Sequence, residues 1–203
     1  MIFVFDLDDT VCDTDSYSEY YILNYIKKYN LPYKQVAKNT RFAEKKFDWA
    51  AETALEWYKK HGDEMMSNFP CKENAVSTIN KLYDLGHTIV IATARANDWH
   101  TNPEEVTIKW LKENKIKYHQ IYIGRIDKEA ICEEVNADIF IDDDIKTTQK
   151  VADYFKTTNK TSKKSFLMTT GYNQNLEISN DVIRVIDFDD FVEKLKSIES
   201  FKY

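Results

Sequence analysis

Residues 2–10 read IFVFDLDDT, an apolar run that leads directly into three carboxylates and a hydroxyl. An apolar run without alternation is typical of a strand that is buried on both faces, as in the middle of a parallel sheet covered by helices. Ligand sites in such sheets lie beyond the carboxyl ends of the strands. This stretch therefore predicts an α/β fold and places a candidate site at the end of its first strand.

The first two of these carboxylates, Asp6 and Asp8, are two positions apart. Residues two apart in a strand point the same way, so both side chains face one crevice if the extended geometry continues that far. Two carboxylates that close repel each other strongly unless one is protonated or a cation lies between them. The pair indicates a metal site, a proton shuttle, or both.

Length and composition are those of an ordinary globular enzyme. The 203 residues suffice for one good-sized core, or for a core with a small inserted module. No apolar stretch approaches the roughly 18 to 20 residues that a membrane helix needs, and the first strand is too short for a signal peptide. We therefore expect a soluble, cytoplasmic protein without a membrane partner.

Charge and metal-binding residue types argue against other classes of protein. A net charge of −6 does not favour a nucleic-acid partner. The three cysteines are scattered singly, which argues against a disulfide framework and against a zinc knuckle. The four histidines show no ligand spacing, so a histidine metal site is not expected.

Short apolar segments that indicate further strands recur along the chain, at 89–93, 121–123, 139–142, 166–168 and 182–186. Stretches with helical periodicity lie between most of them. One helix is expected to end at Gly86, a residue suited to the left-handed C-cap, and another to begin near Pro103, which suits the first turn. Strands and helices in alternation predict a doubly wound parallel sheet.

One long interval, from about Ser16 to Phe69, contains no convincing strand but two or more amphipathic helical stretches. Its many aromatic side chains fall mostly at helical spacings, and most are expected to form the core of a small helical module. An insertion directly after the first strand lies over the carboxyl-end crevice, where it could act as a lid. We predict a core formed by residues 1–15 and 70–203, and a helical cap formed by residues 16–69.

The polar residues expected at one edge of the sheet form a chemical set. A carboxylate can attack phosphorus, and a second can give a proton to the leaving oxygen and later take one from water. A hydroxyl and an ammonium can hold the phosphoryl oxygens, and further carboxylates can hold Mg²⁺. The metal and the ammonium neutralise charge in the transition state. In chain order, the set is Asp6, Asp8, Thr93, Lys128, Asp142 and Asp143.

This ordered set resembles the four motifs of the haloacid dehalogenase (HAD) superfamily, over most of the chain apart from the helical insertion. The resemblance implies a HAD-like, Rossmann-like doubly wound sheet with a small helical cap of type 1 inserted after the first strand. It also implies an aspartyl-phosphate mechanism with Mg²⁺ as the cofactor. The acid at position 8 is similar to the phosphotransferase branch of the superfamily and not to the dehalogenases, which need no metal.

The resemblance also implies a role for each matching residue. Asp6 is implied as the nucleophile and Asp8 as the general acid/base. The residues implied to bind the substrate phosphate are Thr93, Ala94 and Lys128. The residues implied to hold the metal are Asp6, Asp8 through its backbone carbonyl, and Asp142, with Thr10 and Asp143 in support.

Finer features are similar to a group of bacterial and phage nucleotidases related to the 5'(3')-deoxyribonucleotidases. They include the segment Thr93-Ala94-Arg95 and the segment Gly171-Tyr172-Asn173, in which the group usually carries proline at the first position. We therefore predict a Mg²⁺-dependent phosphomonoesterase of a small phosphorylated metabolite, with nucleoside monophosphates as the leading candidates. The alternatives are a phosphatase of another small phosphometabolite and a catalytically silent phosphate-binding module.

Four positions allow more than one interpretation. Arg95 could contact a substrate oxygen or pair with a neighbouring acid. Lys146 competes with Lys128 for the phosphate-binding role, and family spacing favours Lys128. Asp144 is expected to cap the following helix rather than to join the site. The stretch that begins at Asp187 repeats the pattern of the first motif, but too few residues follow it for a second site, so we expect an acidic helix start.

Overall fold

The computed structural model describes residues 1–97, 100–124, 127–158, 161–198 and 201. The strands within these residues are β1 (Ile2–Phe5), β2 (Thr88–Thr93), β3 (Gln120–Ile123), β4 (Ile139–Asp142), β5 (Lys164–Met168) and β6 (Val182–Val185). They form one sheet in the order β3-β2-β1-β4-β5-β6, and each neighbouring pair is parallel. The predicted doubly wound α/β sheet is confirmed, with the first strand of the chain near its middle.

The position of β1 follows from its apolar side chains. Phe3, Val4 and Phe5 are fully buried, because β1 lies between β2 and β4 and both of its faces are covered: Phe3 and Phe5 pack in one hydrophobic cluster and Val4 in another. Full burial of an aliphatic or aromatic side chain contributes roughly 1.5 to 3 kcal/mol. This burial holds the carboxyl end of β1 at the centre of the sheet edge, where the acidic residues follow.

Helices connect the strands. They are α1 (Thr14–Lys28), α2 (Ala43–Lys46), α3 (Ala51–Ser67), α4 (Ala75–Asp84), α5 (Pro103–Glu113), α6 (Lys128–Glu134), α7 (Ile145–Thr157) and α8 (Phe188–Lys196). Gly86 lies just beyond α4 with φ of 84°, and its N–H donates to the carbonyl of Tyr83. Pro103 is the first residue of α5. Both helix ends therefore lie where glycine and proline predicted them.

The insertion between β1 and α4 consists of α1, α2 and α3. The described residues from 14 to 67 contain no strand, apart from an isolated bridge between Gln35 and Phe47. Trp57 is only 8% exposed, and its ring lies 5.8 Å from Tyr21 and 6.0 Å from Trp49. These aromatic residues pack as the interior of the insertion. The division into a core and a cap at residues 16 and 69 stays a prediction.

Two chain connections join the insertion to the sheet, and they run side by side in opposite directions. The Asp13 N–H donates to the Pro70 carbonyl, and the Lys72 N–H donates to the Val11 carbonyl. These bonds hold the start of α1 and the segment after α3 beside the end of β1. None of the helices in the described part of the chain combines the length and the apolar character that a bilayer crossing needs.

The acidic stretch at 187–190 begins α8. The Asp187 side chain accepts a hydrogen bond from the Asp190 N–H at 2.8 Å, which makes it an N-cap. We expect Asp187→Ala to lower the free energy of unfolding by about 1 kcal/mol. Urea denaturation measures this effect, with Glu193→Ala on the exposed face of the same helix as the control. An unchanged free energy of unfolding in Asp187→Ala would contradict the assignment of Asp187 as an N-cap.

Candidate active site

The acidic residues predicted at strand ends lie at one edge of the sheet. Asp6 directly follows β1, and its N–H donates to the carbonyl of Ile141 in the neighbouring strand β4 at 3.0 Å. Asp142 is the last residue of β4, and Asp143 follows it. Because β1 and β4 are adjacent and parallel, their carboxyl ends bring these three side chains together. All three are buried, with 4%, 1% and 1% exposed.

These three carboxylates form a cluster around a lysine. One oxygen from each of Asp6, Asp142 and Asp143 lies within 4.8 Å of the others. The Nζ atom of Lys128, the first residue of α6, donates to Asp6 at 2.5 Å and to Asp142 at 2.6 Å. Lys146, its rival from the sequence, is exposed on the first turn of α7. The structure therefore places Lys128 among the carboxylates.

The protonation behaviour of the cluster reflects burial of like charges. Burial raises the pKa of Asp6 from 3.8 to about 7, against the lowering effect of Lys128. Burial, followed by the charges of Asp142 and Asp6, also raises the pKa of Asp143 well above its ordinary value. Burial alone would lower the pKa of Lys128, but the two neighbouring carboxylates outweigh it and raise that pKa. The three carboxylates therefore carry more negative charge, when ionised, than the single Lys128 ammonium can balance.

The cluster fits a hard divalent cation. Three carboxylates offer the oxygen ligands that Mg²⁺ takes in proteins. The Oδ2 atom of Asp143 is buried and has no hydrogen-bond partner, so it has a free coordination direction. Of the residues implied as metal ligands, the structure brings together Asp6 and Asp142 and adds Asp143. The Asp8 carboxylate lies outside this cluster.

Asp8 instead forms a bidentate ion pair with Arg95. Arg95 donates through Nε to Asp8 Oδ2 at 2.9 Å and through Nη2 to Asp8 Oδ1 at 2.8 Å. Thr14 adds a hydrogen bond to Oδ1 at 2.8 Å. Burial alone would raise the pKa of Asp8, but the guanidinium outweighs it and holds this pKa below the usual range. Of the two contacts considered for Arg95, the structure contains the pairing with an acid.

The other residues of the predicted set lie around these two groups. Thr93 ends β2 and its hydroxyl donates to Asp8 Oδ2 at 3.5 Å. Ala94 follows it and is exposed at the sheet edge. The Thr10 hydroxyl donates to Asp143 Oδ1 at 3.5 Å. Asp144 caps α7 by accepting from the Thr147 N–H at 2.8 Å.

Arg41, which comes from the insertion, also lies at the acidic edge, and its place there was not predicted from the sequence. Its Nη1 atom donates to Asp144 at 2.8 Å, and its Nη2 atom lies 3.8 Å from Asp143 Oδ2. The guanidinium carbon lies 5.4 Å from the ring centres of Phe42 and Tyr172, within cation–π range. No local motif marks this residue, because its partners are about a hundred positions away. Arginine is rare in this chain, and that scarcity was the one feature of the sequence that could have drawn attention to Arg41.

Asn173, part of the segment Gly171-Tyr172-Asn173, makes specific contacts that the sequence did not predict. Its Nδ2 atom donates to the carbonyls of Asp143 at 2.9 Å and Met168 at 2.8 Å. It therefore ties the loop after β5 to the backbone of the acidic cluster. Asp9 was also passed over. It adopts φ of 58°, is 7% exposed, and accepts a hydrogen bond from the Asp15 N–H at the start of α1.

Solved structures with the same fold include a haloacid dehalogenase-like family hydrolase from Streptococcus pneumoniae, at 13% identity and a TM-score of 0.62 over 95% of this chain and 97% of that chain. A predicted phosphatase from Clostridium acetobutylicum superposes with a TM-score of 0.59 at 19% identity, over 96% and 97%. The sequence itself matches no protein-family profile and no curated protein.

A third solved structure is D,D-heptose 1,7-bisphosphate phosphatase from B. bronchiseptica, complexed with magnesium and phosphate. It is 12% identical, with a TM-score of 0.56 over 96% of this chain and 97% of that chain. At these identities the likeness concerns the fold alone. The chain thus has the fold of haloacid dehalogenase-like hydrolases, as the resemblance implied, along nearly its whole length.

Proposed function

We propose that this protein is a Mg²⁺-dependent phosphomonoesterase that works through an aspartyl-phosphate on Asp6. The observation that carries the proposal is the buried cluster of Asp6, Asp142 and Asp143 with Lys128, which lies beyond the ends of the central strands. Buried carboxylates are costly unless they are paired or hold a cation. The solved phosphatases that share the fold support the same class of reaction.

The chemistry takes place in two transfers. A carboxylate oxygen of Asp6 attacks phosphorus, and the bond from phosphorus to the ester oxygen breaks. Asp8 gives a proton to the departing alcohol, and because Arg95 holds its pKa low, Asp8 must take up this proton from solvent when the ester binds. In the second transfer, Asp8 takes a proton from water, and that water's oxygen attacks the phosphoryl group, so that inorganic phosphate leaves and the Asp6 carboxylate is restored.

Cationic and N–H groups beside Asp6 balance the phosphoryl charge. Lys128 lies within hydrogen-bond distance of Asp6, so its ammonium can shift from the carboxylates towards a phosphoryl oxygen. The Thr93 hydroxyl and the Ala94 N–H are the remaining proposed phosphate donors. Asp6, Asp142 and Asp143, with the backbone carbonyl of Asp8, would hold Mg²⁺. When bound, the ion supplies charge neutralisation at the phosphoryl oxygens.

The proposed substrate is a small phosphorylated metabolite, with nucleoside monophosphates first among the candidates. The Phe42 ring from the insertion is 45% exposed and lies beside Arg41, at the acidic edge of the sheet. An exposed aromatic ring can stack on a base, and stacking tolerates any base because each has a π-face. Sugar phosphates are the main competitors.

Phosphate release from a panel of nucleotides, sugar phosphates and an aryl phosphate tests the proposal. Each ester is assayed with Mg²⁺ and with a chelator, for the native protein and for Asp8→Asn. We expect Mg²⁺-dependent release that Asp8→Asn greatly reduces, most strongly for esters with poor leaving groups, which depend on protonation. A folded native protein that releases phosphate from no ester in either condition contradicts the proposed function.

Metal binding can be tested separately from activity. A ligand that binds only the folded state at 100 times its Kd stabilises it by about 2.7 kcal/mol, so Mg²⁺ is expected to raise the thermal midpoint. Asp143→Asn should lose most of this shift, because it removes the carboxylate whose buried Oδ2 atom accepts no hydrogen bond. Asp153→Asn changes an exposed acid on α7 and should keep the shift. Equal shifts in both variants would contradict the assignment of Asp143 to the metal.

A further inference from the structure

Arg95 is buried behind Asp8, on the side away from the crevice. The side chain of Arg95 is only 2% exposed, whereas that of Asp8 is 30% exposed. The bidentate pair therefore presents its carboxylate to the solvent and hides its guanidinium. A substrate entering the crevice would meet Asp8 and not Arg95.

Most of the hydrogen-bonding capacity of Arg95 is already in use. A guanidinium has five N–H donors. Two are directed at Asp8, a third, on Nη1, at the Thr107 hydroxyl at 3.3 Å, and a fourth, on Nη2, at Cys12 Sγ at 3.3 Å. Among the described residues, one N–H of Arg95 has no acceptor, and the side chain around it is buried. These contacts make Arg95 a poor group for binding a substrate phosphate directly.

Two aromatic rings fix the plane of the guanidinium. Its carbon lies 5.7 Å from the ring centre of Phe69 and 5.8 Å from that of Trp110. Trp110 is 1% exposed, and its Nε1–H donates to the Phe69 carbonyl at 2.8 Å, so the two rings are fixed relative to each other. Cation–π contacts of this kind favour a charged, planar group. The rings therefore hold Arg95 in the orientation that presents its fork to Asp8.

We propose that Arg95 is a positioning residue that fixes the Asp8 carboxylate for proton transfer, which rests on the proposed function of Asp8. An aspartate side chain turns about two bonds, and two parallel N–H···O contacts fix both of its oxygens at once. A lysine cannot do this, because its ammonium is a point charge without a planar fork. Each Asp8 oxygen also accepts a hydrogen bond from a hydroxyl, Oδ1 from Thr14 at 2.8 Å and Oδ2 from Thr93 at 3.5 Å, so the carboxylate is oriented from several directions.

The same contacts connect Asp8 to the insertion. Phe69 lies two residues after the end of α3, and its ring is 5.9 Å from that of Tyr17 in α1, edge to face. A movement of these helices over the crevice would therefore shift Phe69 against Arg95. Through this contact, the placement of Asp8 depends on the placement of the insertion.

A double-mutant cycle with Asp8 tests the proposal. A misplacement of a reacting group by about 1 Å can cost 10²-fold in rate, so Arg95→Ala is expected to lower kcat by about 10²-fold with KM nearly unchanged. Because Arg95 acts through Asp8, adding Arg95→Ala to Asp8→Asn should cost almost nothing more. A group that bound substrate directly would instead raise KM, and its loss would multiply with that of Asp8.

Chemical rescue is a second measurement, and no rescue is expected if Arg95 has a purely structural role. Guanidinium ion at a low, non-denaturing concentration should restore part of the kcat of Arg95→Ala, because the Phe69 and Trp110 rings still form its site. Methylammonium, which has the charge without the fork, should restore less. Neither ion should help Asp8→Asn. Rescue of Asp8→Asn, or equal rescue by both ions, would count against a positioning role.

Arg95→Lys keeps the charge and serves if Arg95→Ala does not fold. It should show the same loss of kcat and the same lack of effect in the Asp8→Asn background. The double-mutant cycle also distinguishes a failure of the proposed function from a failure of the positioning role. Full turnover in Asp6→Asn and Asp8→Asn would reject the proposed function itself. Strong losses in Asp8→Asn that multiply with those of Arg95→Lys would reject only the positioning role.

Discussion

Asp6→Asn is expected to lower kcat by about 10⁴-fold or more, the largest effect of any single substitution, because it removes the proposed nucleophile and does not merely weaken it. An amide has nearly the shape of the carboxylate but cannot form the phosphoryl bond. The substitution also takes one of three crowded carboxylates out of the cluster, so repulsion there decreases. We therefore expect a folded protein whose thermal midpoint does not fall in proportion to its activity.

Two measurements check this result. Phosphate release gives the loss of turnover, with Asp153→Asn on the exposed face of α7 as a matched substitution that should retain native activity. Rapid acid quenching followed by intact mass should detect a phosphorylated fraction of the native protein and none in Asp6→Asn. Turnover within tenfold of native in folded Asp6→Asn would show that another group accepts the phosphoryl group or that water attacks directly.

The sequence predicted the sheet and its acidic edge because both depend on local pattern. Buried strands must be apolar on both faces, so β1 and β4 appear as uninterrupted runs, and the acids after them mark where the runs end. Their placement in one cluster then follows from topology, since adjacent parallel strands end at the same edge. The residue types at those ends predicted Asp142 as a neighbour of Asp6, whereas the choice of Lys128 over Lys146 rested on the spacing in the family that the chain resembles.

The contacts of Asp8 and Arg41 could not be predicted in the same way. The pair between Asp8 and Arg95 depends on Phe69 and Trp110, which come from different parts of the chain and fix the guanidinium. From spacing alone, the choice between a substrate contact and an acid partner stayed open. Arg41 reaches the acidic edge only because the insertion folds over it. Such contacts are set by the packing of distant elements and leave no periodic or local signal.

Lys128→Met is expected to produce the largest loss of stability in the metal-free protein. Removing one partner of a buried ion pair costs about 3 to 5 kcal/mol, because the remaining charge is buried without compensation. Here the ammonium contacts both Asp6 and Asp142, and Asp143 lies in the same cluster. Chemical denaturation in the presence of a chelator measures the change. The matched control is Lys150→Met, which removes an exposed lysine paired with Asp127 and Glu129 and should change stability little, because solvent screens this pair.

The loss of stability in Lys128→Met should also become larger as the pH rises. Burial raises the pKa of Asp6 from 3.8 to about 7 even with Lys128 in place. Because the folded protein binds this proton more tightly than the unfolded chain does, folding stability falls as pH rises through that interval. In Lys128→Met the pKa of Asp6 rises further, so the pH range over which folding stability falls extends to higher pH. Lys128→Met should therefore be closest to native stability at about pH 5 and furthest from it at about pH 8.

A divalent cation should compensate for the missing ammonium, because both neutralise the same carboxylates. In the native protein, a bound Mg²⁺ would share Asp6 and Asp142 with Lys128, whereas in Lys128→Met it would meet the three carboxylates without the competing ammonium. We expect Mg²⁺ to raise the thermal midpoint of Lys128→Met more than that of the native protein, while turnover stays low. A smaller shift in Lys128→Met, together with an unchanged one in Lys150→Met, would mean that the lysine helps to build the metal site and does not oppose binding there.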